Sequence, residues 1–173
     1  YFVSDSIGFA VGSNGVILKT TDAGEQWTLI STGNTNHLNA ITFTNPNCGY
    51  IAGSGIILKT TTGGTSWSVC PGYFSSSYMT SLCFLDSLTG YIAGTGTNSV
   101  SVFQTKDGGL NWTTKTVPNL MYIPTSMVFP TQKTGYLVGG YGTFAKLEIP
   151  EETWTPANYV FQNSAGNNMA HPP

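Results

Sequence analysis

Eight carboxylates, two histidines, three cysteines and no arginine are what this chain of 173 residues offers for paired-carboxylate, imidazole, thiol or guanidinium chemistry. Glycoside cleavage would need two carboxyl groups facing each other across a cleft, about 5–9.5 Å apart. Asp22 and Asp107 stand at equivalent places in two similar turns, and Asp5 and Asp86 at equivalent places in two others. Glu148, Glu151 and Glu152 cluster near one late turn, and Glu25 lies beside Asp22. Acids repeated in equivalent turns are expected to build those turns, so no catalytic pair is predicted. A site that holds a sugar carboxylate relies on planar, bidentate guanidinium groups, and the absence of arginine excludes sialidase chemistry. His37 and His171 have no Cys, Asp or Glu at ligand spacing, so no metal site is expected. Cys48, Cys70 and Cys83 read as buried thiols, with a Cys70 to Cys83 bridge as the alternative in an oxidising compartment. Asn111-Trp-Thr113 forms a sequon inside a turn. The expectation is a protein that is not an enzyme and carries no cofactor.

The elements that hold these residues are written in a repeat. A Gly-aromatic step occurs at Gly8-Phe9, Gly49-Tyr50, Gly90-Tyr91 and Gly135-Tyr136. A tryptophan follows each step at Trp27, Trp67, Trp112 and Trp154. Six residues before each step stands a phenylalanine, at Phe2, Phe43, Phe84 and Phe129, with Ile41, Leu82 and Met127 two residues further back in three copies. Apolar residues at alternate positions mark strands, and a period of about 40–45 residues built from short strands and glycine turns marks propeller blades. Apolar residues never recur at helical spacing, so the fold class is all-β: a propeller of four-stranded antiparallel blades, seen as four repeats near residues 1–30, 38–70, 79–117 and 124–161. Residues 162–173 read as a linker or tail. The four copies form either a four-bladed ring or part of a larger propeller.

The turn before each tryptophan carries a second pattern. Thr20-Thr-Asp22-Ala-Gly24-Glu-Gln-Trp27 and Thr105-Lys-Asp107-Gly-Gly109-Leu-Asn-Trp112 resemble Asp-boxes, Ser/Thr-x-Asp-x-Gly-x-x-Trp hairpins. The second copy keeps Gly64 and Trp67 but has Thr62 in place of the aspartate, and the fourth keeps only Trp154. The pattern suits a folding device: a side-chain oxygen caps the N–H groups of its own turn, glycine takes the left-handed conformation, and the indole covers the hairpin. Each buried indole removes about 150–250 Å² from water, roughly 4–6 kcal/mol before entropy is subtracted. Asp22, Gly24, Trp27, Gly64, Trp67, Asp107, Gly109 and Trp112 are therefore read as structural.

The string from Gly8 to Trp27 is similar to blades of the photosystem II assembly and stability factor family and its non-photosynthetic bacterial relatives. That resemblance, which runs from residue 1 to about residue 155, implies a secreted, periplasmic or lumenal propeller that binds another protein and catalyses nothing. Family members commonly have seven blades, and the photosynthetic ones dock their partner on an arginine-rich patch. This chain has no arginine, so that mode of docking is not expected here. Similar repeats occur in large secreted bacterial proteins, and an extracellular or cell-surface location, alternatively a periplasmic one, is the corresponding expectation.

Composition narrows the partners. Six lysines against eight acids, a net charge of −2 and 8% charged residues provide no basic stripe for nucleic acid. No apolar stretch reaches the roughly 18–20 residues that span a bilayer. The chain opens inside a blade, with Tyr1-Phe2 at the end of a first strand, so the missing strand is expected to lie upstream or to be supplied by the tail. The expected whole is a compact four-bladed ring, one part of a larger propeller, or a protomer whose faces another copy or chain covers. Binding is expected on the loops that join one blade to the next, where Tyr73, Phe74, Tyr78, Met121 and Tyr122 gather. The competing reading is that these side chains plug the centre or seal the seams. Two functions follow: a noncatalytic scaffold, adhesion or assembly module that binds another protein or further copies or blades of the same protein, or a carbohydrate-binding propeller, alone or as part of a glycoside hydrolase.

Overall fold

The computed structural model describes the chain except residues 73, 75, 76, 97, 98, 118–121, 149–152, 157–160, 163–167 and 170–173; for residues 153–156, 161–162 and 168–169 it gives the backbone. Four antiparallel sheets follow one another along the chain. Blade 1 holds β1 (Gly8–Val11), β2 (Ile17–Thr20) and β3 (Thr28–Leu29), with a single bridge from Phe2 to Gly8 in place of an innermost strand. Blade 2 holds β4 (Leu38–Phe43), β5 (Gly49–Gly53), β6 (Ile57–Thr60) and β7 (Ser68–Val69). Blade 3 holds β8 (Tyr78–Phe84), β9 (Gly90–Thr95), β10 (Val100–Thr105) and β11 (Thr113–Thr116). Blade 4 holds β12 (Pro124–Thr131), β13 (Thr134–Gly139), β14 (Phe144–Glu148) and β15 (Thr153–Pro156). Each strand pairs with its neighbour in sequence, so every blade is a meander. Within the segment expected to be a tail, β17 (Asn168–Met169) pairs with β16 (Phe161–Gln162).

The Gly-aromatic step sets the register inside each blade. In blade 2, Gly49 pairs with Phe43, and a Cβ on that glycine would lie 2.7 Å from the Phe43 ring. Gly90 and Gly135 stand in the same relation to Phe84 and Phe129. The glycine leaves room for the ring of the strand beside it to lie flat on the sheet.

The core lies between blades rather than within any one of them. One cluster, with Phe9, Ile17, Phe43 and Leu58, fills the seam between blades 1 and 2. A second, with Ile57, Cys70, Phe74, Met79 and Phe103, fills the seam between blades 2 and 3. A third, with Tyr91, Val102, Met127 and Leu147, fills the seam between blades 3 and 4. A middle blade is buried on both faces, which is why β5 and β10 are buried along their whole length instead of alternating. Cys83 packs in the third seam and Cys70 in the second, with the sheet of blade 3 between them. All three cysteines are free, so the Cys70 to Cys83 bridge that the sequence left open is not formed.

The first strands of neighbouring blades, β4, β8 and β12, converge. Asn39 Nδ2 donates to the Met79 carbonyl at 2.8 Å, and the Thr80 hydroxyl, at the same repeat position, donates to the Pro124 carbonyl. Two faces result. On one, the box turns meet the turns between first and second strands: the N–H groups of Ala23, Gly63 and Gly108 donate to the carbonyls of Ser6, Asn47 and Leu88. On the other, the turns between second and third strands meet the blade-to-blade loops: Gly15 N–H donates to Asn36 O and Gly55 N–H to Ser77 O, both at 2.8 Å.

Candidate functional site

The hydroxyls and carboxylates of the box turns are engaged in closed networks, while the buried indole N–H groups of Trp67 and Trp112 have no hydrogen-bond partner among the described residues. Thr20 Oγ1 accepts the Gly24 N–H at 2.9 Å and donates to Asp22 Oδ1 at 2.7 Å, while Asp22 Oδ1 accepts the Gln26 N–H at 3.0 Å. Thr105, Asp107, Gly109 and Asn111 repeat the pattern, and Asp107 Oδ2 also accepts the Asn111 side-chain amide at 2.7 Å. These donors favour the charged carboxylate. The Asn111 backbone and side-chain amides and the Thr105 hydroxyl hold the Asp107 carboxyl at about 2, and the Gln26 N–H and Thr20 hydroxyl depress Asp22. Asp86 is depressed in the same way by the Thr89 and Leu88 N–H groups. Carboxylates so engaged are poor general acids. In the second box Thr62 Oγ1 accepts the Ser66 N–H at 3.1 Å, so a hydroxyl takes the place of the missing aspartate.

The box also joins blade to blade. Gly64 sits against Phe9 so closely that a Cβ would lie 2.3 Å from that ring, and Gly109 sits against Tyr50 at 3.0 Å. Lys19 Nζ reaches the Gly63 carbonyl at 2.8 Å, and Lys59 Nζ reaches the Gly108 carbonyl at 2.6 Å, where it is joined by the Tyr50 hydroxyl at 2.8 Å. Trp67 stands edge-on to both Phe9 and Phe43, and Trp112 edge-on to Phe84. Trp27 is 39% exposed, because the ring that would cover it in a middle seam is not there. Gly24, Gly64 and Gly109 all take positive φ, as the turns require.

Burial pushes the Cys70 thiol up to about 11 and raises Cys83 as well, so both stay protonated and inert at neutral pH. Among the described residues there is no group of three His, Cys, Asp or Glu side chains that could hold a metal. A groove of about 400 Å³ on the outside of blade 3 is lined by Gln104, Lys106, Asp107, Asn111 and Lys115; its one carboxylate belongs to the box. Among the described residues no helix is long and apolar enough to cross a membrane.

The loop face is different. The described residues that form it, 12–16, 30–37, 54–56, 70–72, 74, 77, 96, 99, 117, 122–123 and 140–143, contain no Lys, Asp or Glu. Among the described residues, every carboxylate and lysine is in the strands or in the turns of the opposite face. Of the residues predicted to bind, Tyr78 and Tyr122 are exposed here. Phe74 is only 7% exposed and meets Phe103 edge-on at 5.8 Å, so it seals a seam. Tyr73 and Met121 lie outside the described residues.

One residue of this face escaped the sequence reading. Tyr141, at the tip of the turn between β13 and β14, is 83% exposed and stacks on Tyr122 with ring centroids 4.6 Å apart. Its φ of 51° is left-handed, a conformation that bulky side chains rarely adopt. The equivalent residue of blade 1 is Asn14 at φ 58°, a residue type at ease there. A signal existed in the aligned copies: Gly12-Ser-Asn14-Gly15 against Gly139-Gly-Tyr141-Gly142. Ile123, next in sequence to Tyr122, is exposed as well.

The sequence matches the family model described as photosynthesis system II assembly factor YCF48 over residues 1–119. No curated protein matches the chain in sequence. Among solved structures, YCF48 bound to D1 peptide is similar with a TM-score of 0.72 and 25% identity, over 92% of this chain and 52% of that one. YCF48 from Cyanidioschyzon merolae gives 0.72 and 19%, over 94% and 56%. An ancestral GH74 enzyme gives 0.75 and 20%, over 95% and 24%, a likeness of fold alone. The chain spans about half the length of the YCF48 structures it matches.

Proposed function

The chain belongs to the photosynthesis system II assembly factor YCF48 family, and from that premise we propose that it is a noncatalytic scaffold that binds an uncharged segment of a partner protein on its loop face. The observation that carries the proposal is the absence of any Lys, Asp or Glu from the described residues of that face, together with exposed Tyr78, Tyr122 and Tyr141. Rigid aromatic side chains supply large contact area at low entropic cost, and a partner held without ion pairs escapes screening by salt. A peptide is the partner class favoured by the relative captured with one.

Neutral sugars stack on tyrosine as readily, and the fold is shared with GH74, so a carbohydrate is the second reading. Titration against a panel of uncharged peptides and of neutral oligosaccharides, at low and high salt, tests both. Binding of a peptide that Tyr122→Ala and Tyr141→Ala weaken about tenfold or more, with little dependence on salt, is expected. Binding of oligosaccharide alone would replace the first reading with the second. Affinity that collapses with added salt would remove the loop face from either.

A further inference from the structure

The outer ends of the second and third seams offer the same place twice, with different linings. In the second seam a cavity of about 210 Å³ is lined from blade 2 by Lys59, Thr61, Ser66, Val69 and Cys70 and closed from blade 3 by Gly109 and Leu110. The groove of about 400 Å³ on blade 3 is lined by the residues at the same repeat positions, Gln104, Lys106, Asn111, Thr114 and Lys115, with Asp107 beside them. The replacements run toward longer or more polar side chains: Thr61 gives way to Lys106, Ser66 to Asn111, Val69 to Thr114 and Cys70 to Lys115. In the first two seams this last position is apolar, and Ile30 and Cys70 there join the buried clusters. The way the second seam closes rests on glycine, since a Cβ on Gly109 would lie 3.0 Å from the Tyr50 ring. The fourth repeat has Pro150 and Glu151 where that box has Gly108 and Gly109, so its sequence lacks the sealing device.

The third groove has a built floor. Gln104 takes the repeat position of Lys19 and Lys59, is 4% exposed, and donates from Nε2 to the hydroxyl of buried Tyr91 at 3.0 Å. Gln104 and Lys106 also line a cavity of about 320 Å³ that takes in Asp86 and, from the turn between β12 and β13 of blade 4, Gln132. Sharing those two residues, the cavities reach the size of small-ligand sites, about 300–1,000 Å³.

The lining selects the chemistry of the ligand. Lys106 and Lys115 bring positive charge and Asp86 and Asp107 negative charge in equal number, so neither an anion nor a cation is favoured. The Tyr91 ring is occupied by Phe129, on which it stacks, and offers no open face to an apolar ligand. What remains is a mixture of amides, ammonium groups and carboxylates, in which donors alternate with acceptors. A hydroxyl group both donates and accepts, so a polyhydroxylated ligand can match every one of them.

We infer that this groove between blades 3 and 4 binds a neutral sugar, whose hydroxyls meet Gln104, Asn111, Lys115 and Gln132. The site lies on the side of the box turns, away from Tyr122 and Tyr141, and does not rest on the function proposed for the loop face.

Calorimetric titration of the protein with neutral mono- and disaccharides of hexoses, pentoses and N-acetylhexosamines tests this. At least one of these sugars should bind with millimolar affinity or better. Lys115→Ile, which installs the residue type of Ile30 in blade 1, should weaken that binding about tenfold, the scale of a hydrogen bond to a charged group. Gln132→Ala, at an exposed turn position, should weaken it severalfold with an unchanged melting temperature. Tyr122→Ala should leave it as it was. No binding by any sugar of the panel overturns the inference, and so does binding that survives both groove substitutions. Binding lost with Tyr122→Ala would move the sugar to the loop face, and displacement of the sugar by equimolar sulfate would mark an anion site; either result overturns it as well.

Discussion

The aspartates of the boxes hold their turns as anions, and their protonation has a consequence for stability. Asp107 binds its proton near pH 4 in the unfolded chain, as aspartates ordinarily do, but near 2 in the fold, where the Asn111 amides and the Thr105 hydroxyl favour the anion. Between those values the unfolded state takes up more protons. The contribution of the box is therefore complete above about pH 4 and is lost as pH falls toward 2, and Asp22 and Asp86 act in the same direction. The melting temperature should drop through this window, and Asp107→Asn should drop less steeply; parallel curves for the two proteins would contradict the assignment. The acceptor role of Asp107 was legible from the Thr-x-Asp-x-Gly spacing alone. Exposure was not: Phe74 and Tyr78 stand four residues apart in the same loop, and only the tertiary structure turns one into a seam and the other to solvent.

At the level of strands and turns, repetition made the sheets legible, because the glycine step and the phenylalanine six residues before it recur in all four copies, and the alternating apolar residues and box turns in most of them. What joins the blades was hidden. A lysine that donates to a carbonyl leaves no trace of its acceptor in the sequence, and an aromatic step reads as core without revealing which blade it packs against. Tyr50 shows the difference: it is fully buried, stacks on Phe84 at 4.0 Å and donates to the Gly108 carbonyl at 2.8 Å. Tyr50→Phe should cost about 1 kcal/mol, the net worth of one hydrogen bond, since Lys59 still reaches the same carbonyl. Tyr50→Ala should cost about 3–5 kcal/mol, as large-to-small changes of aromatics do in a packed core. Gly64→Ala should also destabilise, because the new Cβ would meet the Phe9 ring at 2.3 Å with the backbone at φ 75°. Denaturant midpoints measure all three; equal midpoints for the two Tyr50 variants would place the seam energy elsewhere.

Over the whole molecule, stability should be distributed as in a one-dimensional array, where each unit is held by its neighbours. Blades 2 and 3 are each sealed on two sides, and β5 and β10 are buried throughout. Blades 1 and 4 are sealed on one side in a single chain, with Phe2, Trp27, Val128 and Val138 exposed. Local opening should then be cheapest at the two outer blades, and amide hydrogen exchange should be slowest in β5, β6, β9 and β10 and faster in β1, β2 and β13. Uniform exchange across all four blades would mean that the arc opens as one unit, and the seams would then not be the separable bonds that their geometry describes.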